Sequence, residues 1–386
     1  MEAYVIDCLR TPRTKAREGG SLAEMSPAKL VSRLVDAMRE NQTLDKVAAL
    51  TLGCVGQIGA QGGNLALQSK LHARLPEHCT AMTLNHFCAS GLSSIGLAAN
   101  ACALGQYPQV LAGGVECMSQ VPFMADKAHY YQDAELPLEE RYIPVALSAD
   151  ILATKERVTR DELNGVTLRS HQRAAQAEGY QQSRIAVRDA DGKPLAEQDE
   201  CIRANTTAAS LAEMPPGFEA MAKPFQAILS QREIDYRHSF ANAPPMVDGA
   251  ALGLIAGAAG KTRARARILG WLDAAASPAD SLTGGMAAMD ALLTQLGLSL
   301  RDIDRIEFME AFAVVPVLFE RRYGVDPEQV NVSGGHLAKG HPMGATGAVL
   351  LSTLCDVLER DDKTLGLVVA TGAGGVGSAM VVERMK

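Results

Sequence analysis

Thr83-Leu-Asn-His-Phe-Cys-Ala-Ser-Gly-Leu-Ser-Ser94 passes from an apolar, strand-like stretch through a turn of small residues into a helix. Far down the chain, Gly340-His-Pro-Met-Gly-Ala-Thr-Gly347 makes the same move, a glycine-rich turn that opens a helix over 348–358. The likeness extends beyond the turns. After Gly91 come a helix to Leu104 and the apolar strand Val110-Leu-Ala-Gly-Gly114; after Gly347 come a helix and then Leu367-Val-Val-Ala-Thr-Gly372. Equal order and similar spacing predict a duplicated α/β unit. A duplication brings the two turns together at a pseudo-twofold interface, which places Cys88 beside His341. A thiolate at a helix N-terminus is favoured by the helix dipole and by free backbone N–H groups, and small neighbours let a substrate backbone or a thioester approach. A free cysteine is more often a small buried hydrophobe, and this chain has eight. The matching histidine is what makes the two turns a candidate dyad.

Working outward, short β-rich runs alternate with helical patterns: 4–7, a helix over 28–40, 49–54, a helix over 64–71, and 80–84. From Glu116 to about Val247 proline, charged residues and isolated helices such as 160–178 replace the alternation, which marks an inserted or covering region. Alternation then resumes with 250–258, 267–274, a helix over 285–296, 305–308, a helix over 314–322, 330–332 and 366–370. This is an α/β fold.

At 386 residues and 47% hydrophobic, the chain buries a large core, and disorder is excluded for most of it. The eight cysteines show no CxxC and no zinc-site spacing, so neither a disulfide scaffold nor a metal site is expected, and reduced thiols fit a cytoplasmic protein. The N-terminus has no basic and apolar leader, and no apolar stretch is long enough to span a bilayer. A net charge of −7 without a basic, aromatic-interleaved patch argues against nucleic acid as a partner.

Several further motifs stand in a fixed order: Arg10-Thr-Pro-Arg13, Gly113-Gly-Val-Glu-Cys-Met-Ser-Gln-Val-Pro122, Ser170-His-Gln-Arg-Ala174, Asp248-Gly-Ala250, Ile268-Leu-Gly-Trp271, Glu310-Ala-Phe-Ala313 and Gly374-Gly-Val-Gly377. With the two turns, they make the chain resemble the thiolase family over nearly its whole length. The resemblance implies two duplicated βαβαβαββ halves in a five-layered α/β/α/β/α body. One half covers 1–118 plus 250–262, the other 263–386, and a loop domain over 119–249 covers the site and binds coenzyme A. It implies that Cys88 takes an acyl group as a thioester. His341 would activate Cys88 and hold the thioester oxygen of a second substrate. An oxyanion hole would come from Cys88 and Ala373. Coenzyme A and its acyl thioesters are substrates, with no tightly bound cofactor. A homodimer or homotetramer is implied, with a partner subunit of a fatty-acid oxidation complex as an option.

Two positions depart from the family pattern. Thr371 stands where a second cysteine moves the α-proton, and a hydroxyl is a far poorer base than a thiol. Met309 stands where an Asn or His holds a water, and a thioether cannot donate. The substrate-contacting segments differ as well: Pro144-Val-Ala-Leu-Ser-Ala-Asp150 replaces a His-Met-Gly run, and Pro244 replaces a serine. Val145, Ala146 and Pro244 are the expected coenzyme A contacts. His336, where a small residue is common, is a candidate compensating base; His86 and Glu310 are read as structural. The implied function is acyl-CoA C-acyltransfer through acyl-Cys88, by 3-ketoacyl-CoA thiolysis or Claisen condensation. Two alternatives remain: a condensing enzyme or hydrolase without efficient α-proton abstraction, and a non-catalytic acyl-CoA-binding subunit.

Overall fold

The structure is a computed structural model and describes residues 2–386. Its first half alternates β1 (Ala3–Arg10), α1 (Pro27–Arg39), β2 (Val47–Gly53), α2 (Leu65–His72), β3 (Thr80–Leu84), α3 (Ser90–Ala103) and β4 (Gln109–Cys117). The chain then leaves the sheet for a long excursion that includes α4 (Val145–Lys155) and α5 (Arg160–Gln176), and returns as β5 (Val247–Ala256). The second half repeats the plan with β6 (Ala266–Ala275), α6 (Gly284–Leu296), β7 (Arg305–Phe308), α7 (Val314–Tyr323), the one-turn α8 (His336–Lys339), α9 (Thr346–Arg360), β8 (Leu365–Thr371) and β9 (Val376–Arg384).

Strand order makes the duplication explicit. The first half runs β3-β2-β4-β5-β1 and the second runs β7-β8-β9-β6, so in each half the last strand sits between the first and the one before it in sequence. The halves join where β1 pairs antiparallel with β6, Ala3 opposite Ile268 and Val5 opposite Ala266. The third strand of the second half, expected over 330–332, does not form. Only Val330 bridges Ile306. Asn331 adopts a φ of 48°, off the strand path. Its side-chain amide takes over the ladder instead: Nδ2 donates to the Phe308 carbonyl at 2.8 Å and Oδ1 accepts from the Phe308 N–H at 2.8 Å.

Helices fill three layers around the two halves of this continuous sheet, giving the five-layered thiolase-like arrangement. α1 and α2 cover the outer face of the first half, and α6 covers that of the second. α1 starts at Ser26, whose hydroxyl accepts from the Lys29 N–H, with Pro27 in the first turn, and it buries Leu30, Val31, Leu34, Val35 and Met38 along one stripe. The middle layer is the pair α3 and α9, which touch each other and strands of both halves. Both helices are largely buried, α3 exposing Leu97, so neither carries a polar stripe. Every residue of α9 from Thr346 to Leu358 is buried, and α3 consists largely of Ser, Gly and Ala.

Glycines set how closely this pair approaches. A Cβ on Gly347 would fall 2.4 Å from the backbone N and the Cβ of Leu92, and one on Gly91 would fall 2.7 Å from the Gly344 carbonyl oxygen. No described helix is long and apolar enough to cross a membrane. Gly347→Ala therefore forces α3 and α9 apart and should lower stability by roughly 1–3 kcal/mol. Calorimetry should show a lowered melting temperature; an unchanged one would mean that the two helices are not held at this distance.

Candidate active site

The turn before α3 is locked by its own polar side chains. Asn85 Oδ1 accepts from the Phe87 N–H at 2.9 Å. Ser90 Oγ accepts from the His86 N–H at 2.7 Å and donates to the Phe87 carbonyl at 2.5 Å. Phe87 is thereby held at a φ of 46°, a costly conformation for a side-chain-bearing residue, and the chain reverses to present Cys88. The backbone N–H groups of Cys88 itself and of Ala373 point at the sulfur and favour its thiolate. They are outweighed: burial, helped by the Glu116 carboxylate, pushes the Cys88 thiol up to about 12. The expectation of a dipole-stabilised thiolate is therefore corrected. At neutral pH Cys88 is a thiol that needs a base at the moment of attack.

His341 sits on the matching turn. Its backbone N–H donates to the Pro245 carbonyl at 2.9 Å, and Met246 bridges to it. Gly340 precedes it at a φ of 91°, with no room for a side chain because Val247 Cγ1 lies 2.3 Å from where a Cβ would be. Nδ1 lies 2.7 Å from Thr346 Oγ1, in the first turn of α9. With the proton on Nδ1, donated to Thr346, Nε2 keeps a lone pair for a neighbour's proton. Burial, and then the Arg13 guanidinium, push the imidazole down to about 3, so His341 is neutral throughout the ordinary pH range.

Glu116, at the end of β4, ties the His341 turn to the loop that follows β2. Its buried carboxylate accepts from the N–H groups of Val55 (2.9 Å), Gly56 (3.0 Å) and Gly344 (3.0 Å) and from Gln61 Nε2 (2.7 Å). Arg13 holds the same turn from the other side of Gly340, donating to its carbonyl at 3.3 Å while pairing with Asp199. Burial alone would raise the Asp199 carboxyl, but Arg10 and Arg13 hold it well below the usual range.

Cys88, His341, Thr371, Met309, Ala373, Val145, Ala146 and Pro244 all line one cavity of about 480 Å³. At the second-cysteine position, the Thr371 hydroxyl accepts from the Gly285 N–H at 3.4 Å, at the start of α6. Met309 is equally occupied. Its Sδ accepts from the Thr371 N–H at 3.3 Å, so the two departures pack on each other. His336 is fully buried, stacks edge-to-face on His341 with centroids 5.5 Å apart, and does not line the cavity. It cannot reach a substrate as a base. Glu310 is a strut: it accepts from Ser170 Oγ (2.8 Å) and the Leu337 N–H (2.9 Å) and anchors α8. His86 pairs with Ser93 Oγ at 2.8 Å, away from Cys88.

Sequence reasoning missed Glu116 as a tie, although a lone carboxylate inside an apolar strand run signals a buried, hydrogen-bonded charge. It also missed the aromatic wall of Phe87, Phe123, Tyr131 and Tyr142 and the mouth formed by Arg203, Phe218, Met221 and Phe240. Those residues lie on irregular segments, where no periodicity shows which side chains converge.

Known proteins fit this geometry. Residues 3–223 match the family model described as thiolase, N-terminal domain, and residues 262–384 match thiolase, C-terminal domain. The β-ketoadipyl-CoA thiolase of Pseudomonas knackmussii is 33% identical over 100% of this chain and 99% of its own. The 3-ketoacyl-CoA thiolase of Bacillus subtilis is 32% identical over 99% of each chain. The crystal structure of the Bacillus anthracis acetyl-CoA acetyltransferase superposes with a TM-score of 0.86 at 28% identity, covering 100% of this chain and 99% of that one. With both family models matched and a common fold end to end, the chain belongs to the thiolase family.

Proposed function

We propose that this thiolase-type acyl-CoA acyltransferase works through an acyl thioester on Cys88, with His341 as its base. The carrying observation is the convergence of Cys88, His341 and the inward N–H groups of Cys88 and Ala373 on one apolar cavity. Sγ attacks the thioester carbonyl of acyl-CoA while the Cys88 proton passes to Nε2 of His341. The oxyanion is held by the N–H groups of Cys88 and Ala373, each worth about 3 kcal/mol in such sites. The carbon–sulfur bond to coenzyme A breaks, and the departing thiolate takes the proton from His341. In the second half-reaction the acyl group passes back to a coenzyme A thiol, or to C2 of a second thioester.

That last option needs a group to move the C2 proton. Thr371 is a weak one, because its hydroxyl has an ordinary alcohol's reluctance to ionise and is engaged with Gly285. Acyl loading and unloading are the efficient steps on this reading, and the carbon–carbon step is the slow one. A non-catalytic role is not favoured, because the loading machinery is complete. We assign 119–249 as the covering domain, since Val145, Ala146, Arg203 and Pro244 bring it to the cavity. A cytoplasmic setting fits eight cysteines without a disulfide.

We also propose a homodimer built on β3. This strand ends the sheet path. Met82 on it is 48% exposed, and Leu67 and Leu71 on the neighbouring α2 are 44% and 66% exposed. An unpaired edge beside exposed apolar residues suits a second copy of the chain. Sedimentation should give twice the chain mass, and Met82→Lys should shift the protein toward monomer; a monomeric wild type would refute the assignment.

Intact mass after incubation with acetyl-CoA should show an acetyl adduct that disappears in Cys88→Ala and forms at least a hundredfold more slowly in His341→Ala. With His341 neutral above about 3 and Cys88 protonated below about 12, the loading rate should be flat from pH 5 to 9. A sigmoidal rise centred near pH 7 would contradict the proton assignment, and absence of an adduct with any acyl-CoA would remove Cys88 as the acyl carrier.

A further inference from the structure

The wall beside Cys88 has a composition that acyl transfer alone does not require. The chain has eight phenylalanines, eight tyrosines and one tryptophan in 386 residues, yet seven phenylalanines and tyrosines line this one cavity. Phe87 and Phe123 pack with Cys88 against Val55, Met118 and Met343. Tyr131 and Tyr142 extend that wall with ring centroids 4.8 Å apart and planes tilted by 54°. Tyr130, behind them, links the two groups, 5.6 Å from Tyr142 and 6.2 Å from Phe87.

Polarity is absent where the wall meets Cys88. The hydroxyls of Tyr131 and Tyr142 are turned to Asp126 Oδ2 (3.3 Å) and Met124 Sδ (3.5 Å), neither of which lines the cavity. The cavity is therefore offered their rings. Among the described lining residues, Arg203 is the one with a permanent charge, and it groups with the exposed Phe240 and Met221 at the mouth. A terminal carboxylate on the acyl chain would lie against rings and thioethers with no cation to pair with. A short acyl group would leave the wall unfilled. A planar ring fits it by edge and face contacts and by thioether–aromatic contacts with Met118 and Met343.

We infer that the acyl group carried by Cys88 ends in an aromatic ring, so that the substrates are aryl-substituted acyl and 3-ketoacyl thioesters of coenzyme A. This rests on the acyl-Cys88 reading above. The step is a thioester exchange: the bond from Sγ to the acyl carbon forms, the bond from that carbon to the coenzyme A sulfur breaks, and the thiol proton moves by way of His341 to coenzyme A, with no redox change.

Single-turnover loading of Cys88, followed by intact mass, tests this with acetyl-, octanoyl-, adipoyl- and 3-phenylpropanoyl-CoA on the full-length protein. The phenylpropanoyl group should load roughly tenfold faster than the octanoyl group at equal subsaturating concentration, with adipoyl no faster than acetyl. Tyr142→Leu and, independently, Phe123→Leu should each erase most of the phenylpropanoyl-to-octanoyl ratio. Octanoyl loading as fast as phenylpropanoyl, adipoyl loading ahead of acetyl, or ratios unchanged in both variants would overturn the inference while leaving acyl-Cys88 intact. Loading by none of the four would overturn the acyl-Cys88 reading and the inference with it.

Discussion

The close approach of α3 and α9 is the constraint on which the site depends. Cys88 and His341 lie on the turns that feed these two helices, and neither turn can reach the other unless the helix starts nearly touch. Gly91 and Gly347 allow it, because a side chain at either position would meet backbone atoms of the opposite element. Gly344 and Gly372 extend the same logic to the walls. A Cβ on Gly344 would fall 2.8 Å from Cys54 Cα, and one on Gly372 would fall 3.3 Å from the Cys88 nitrogen. Duplication supplies the symmetry, and the glycines supply the distance.

Burial decides the electrostatics at this junction. It raises the Cys88 thiol and lowers the His341 imidazole, so the resting pair is neutral. Separated charge then arises only as the reaction proceeds, in a cavity whose fixed N–H donors already face the sulfur. Glu116 anchors the His341 turn to the loop after β2 but opposes a resting thiolate at Cys88. Burial, with this carboxylate second, keeps the resting Cys88 a thiol.

Much of this was legible in the sequence, because the deciding features are local and periodic. The turn–helix–strand repeats around Cys88 and His341 show the duplication, and the ordered motifs show the family. Val330–Val332 misled for a physical reason: β-branched residues suggest a strand, but Asn331 between them satisfies Phe308 with its side chain and leaves the ladder. The thiolate expectation failed because a helix dipole acts on a sulfur whose burial cannot be read from nearest neighbours. Tyr131 and Tyr142 of the wall and Phe218 and Phe240 of the mouth were illegible because the chain between β4 and β5 brings them together without a repeating pattern.

Thr371 and Met309, read from the sequence as departures from the family pattern, are coupled, since the Met309 sulfur accepts the Thr371 N–H. On the function proposed above, acyl loading keeps its groups while the C2 proton has only the Thr371 hydroxyl to move it. The decisive measurement compares the two half-reactions in one sample: exchange of labelled coenzyme A into acetyl-CoA, and uptake of solvent deuterium at C2 of acetyl-CoA. The account predicts coenzyme A exchange far faster than deuterium uptake in the wild type, with uptake accelerated in Thr371→Cys. Deuterium uptake matching coenzyme A exchange in the wild type, and unchanged by Thr371→Cys, would contradict it.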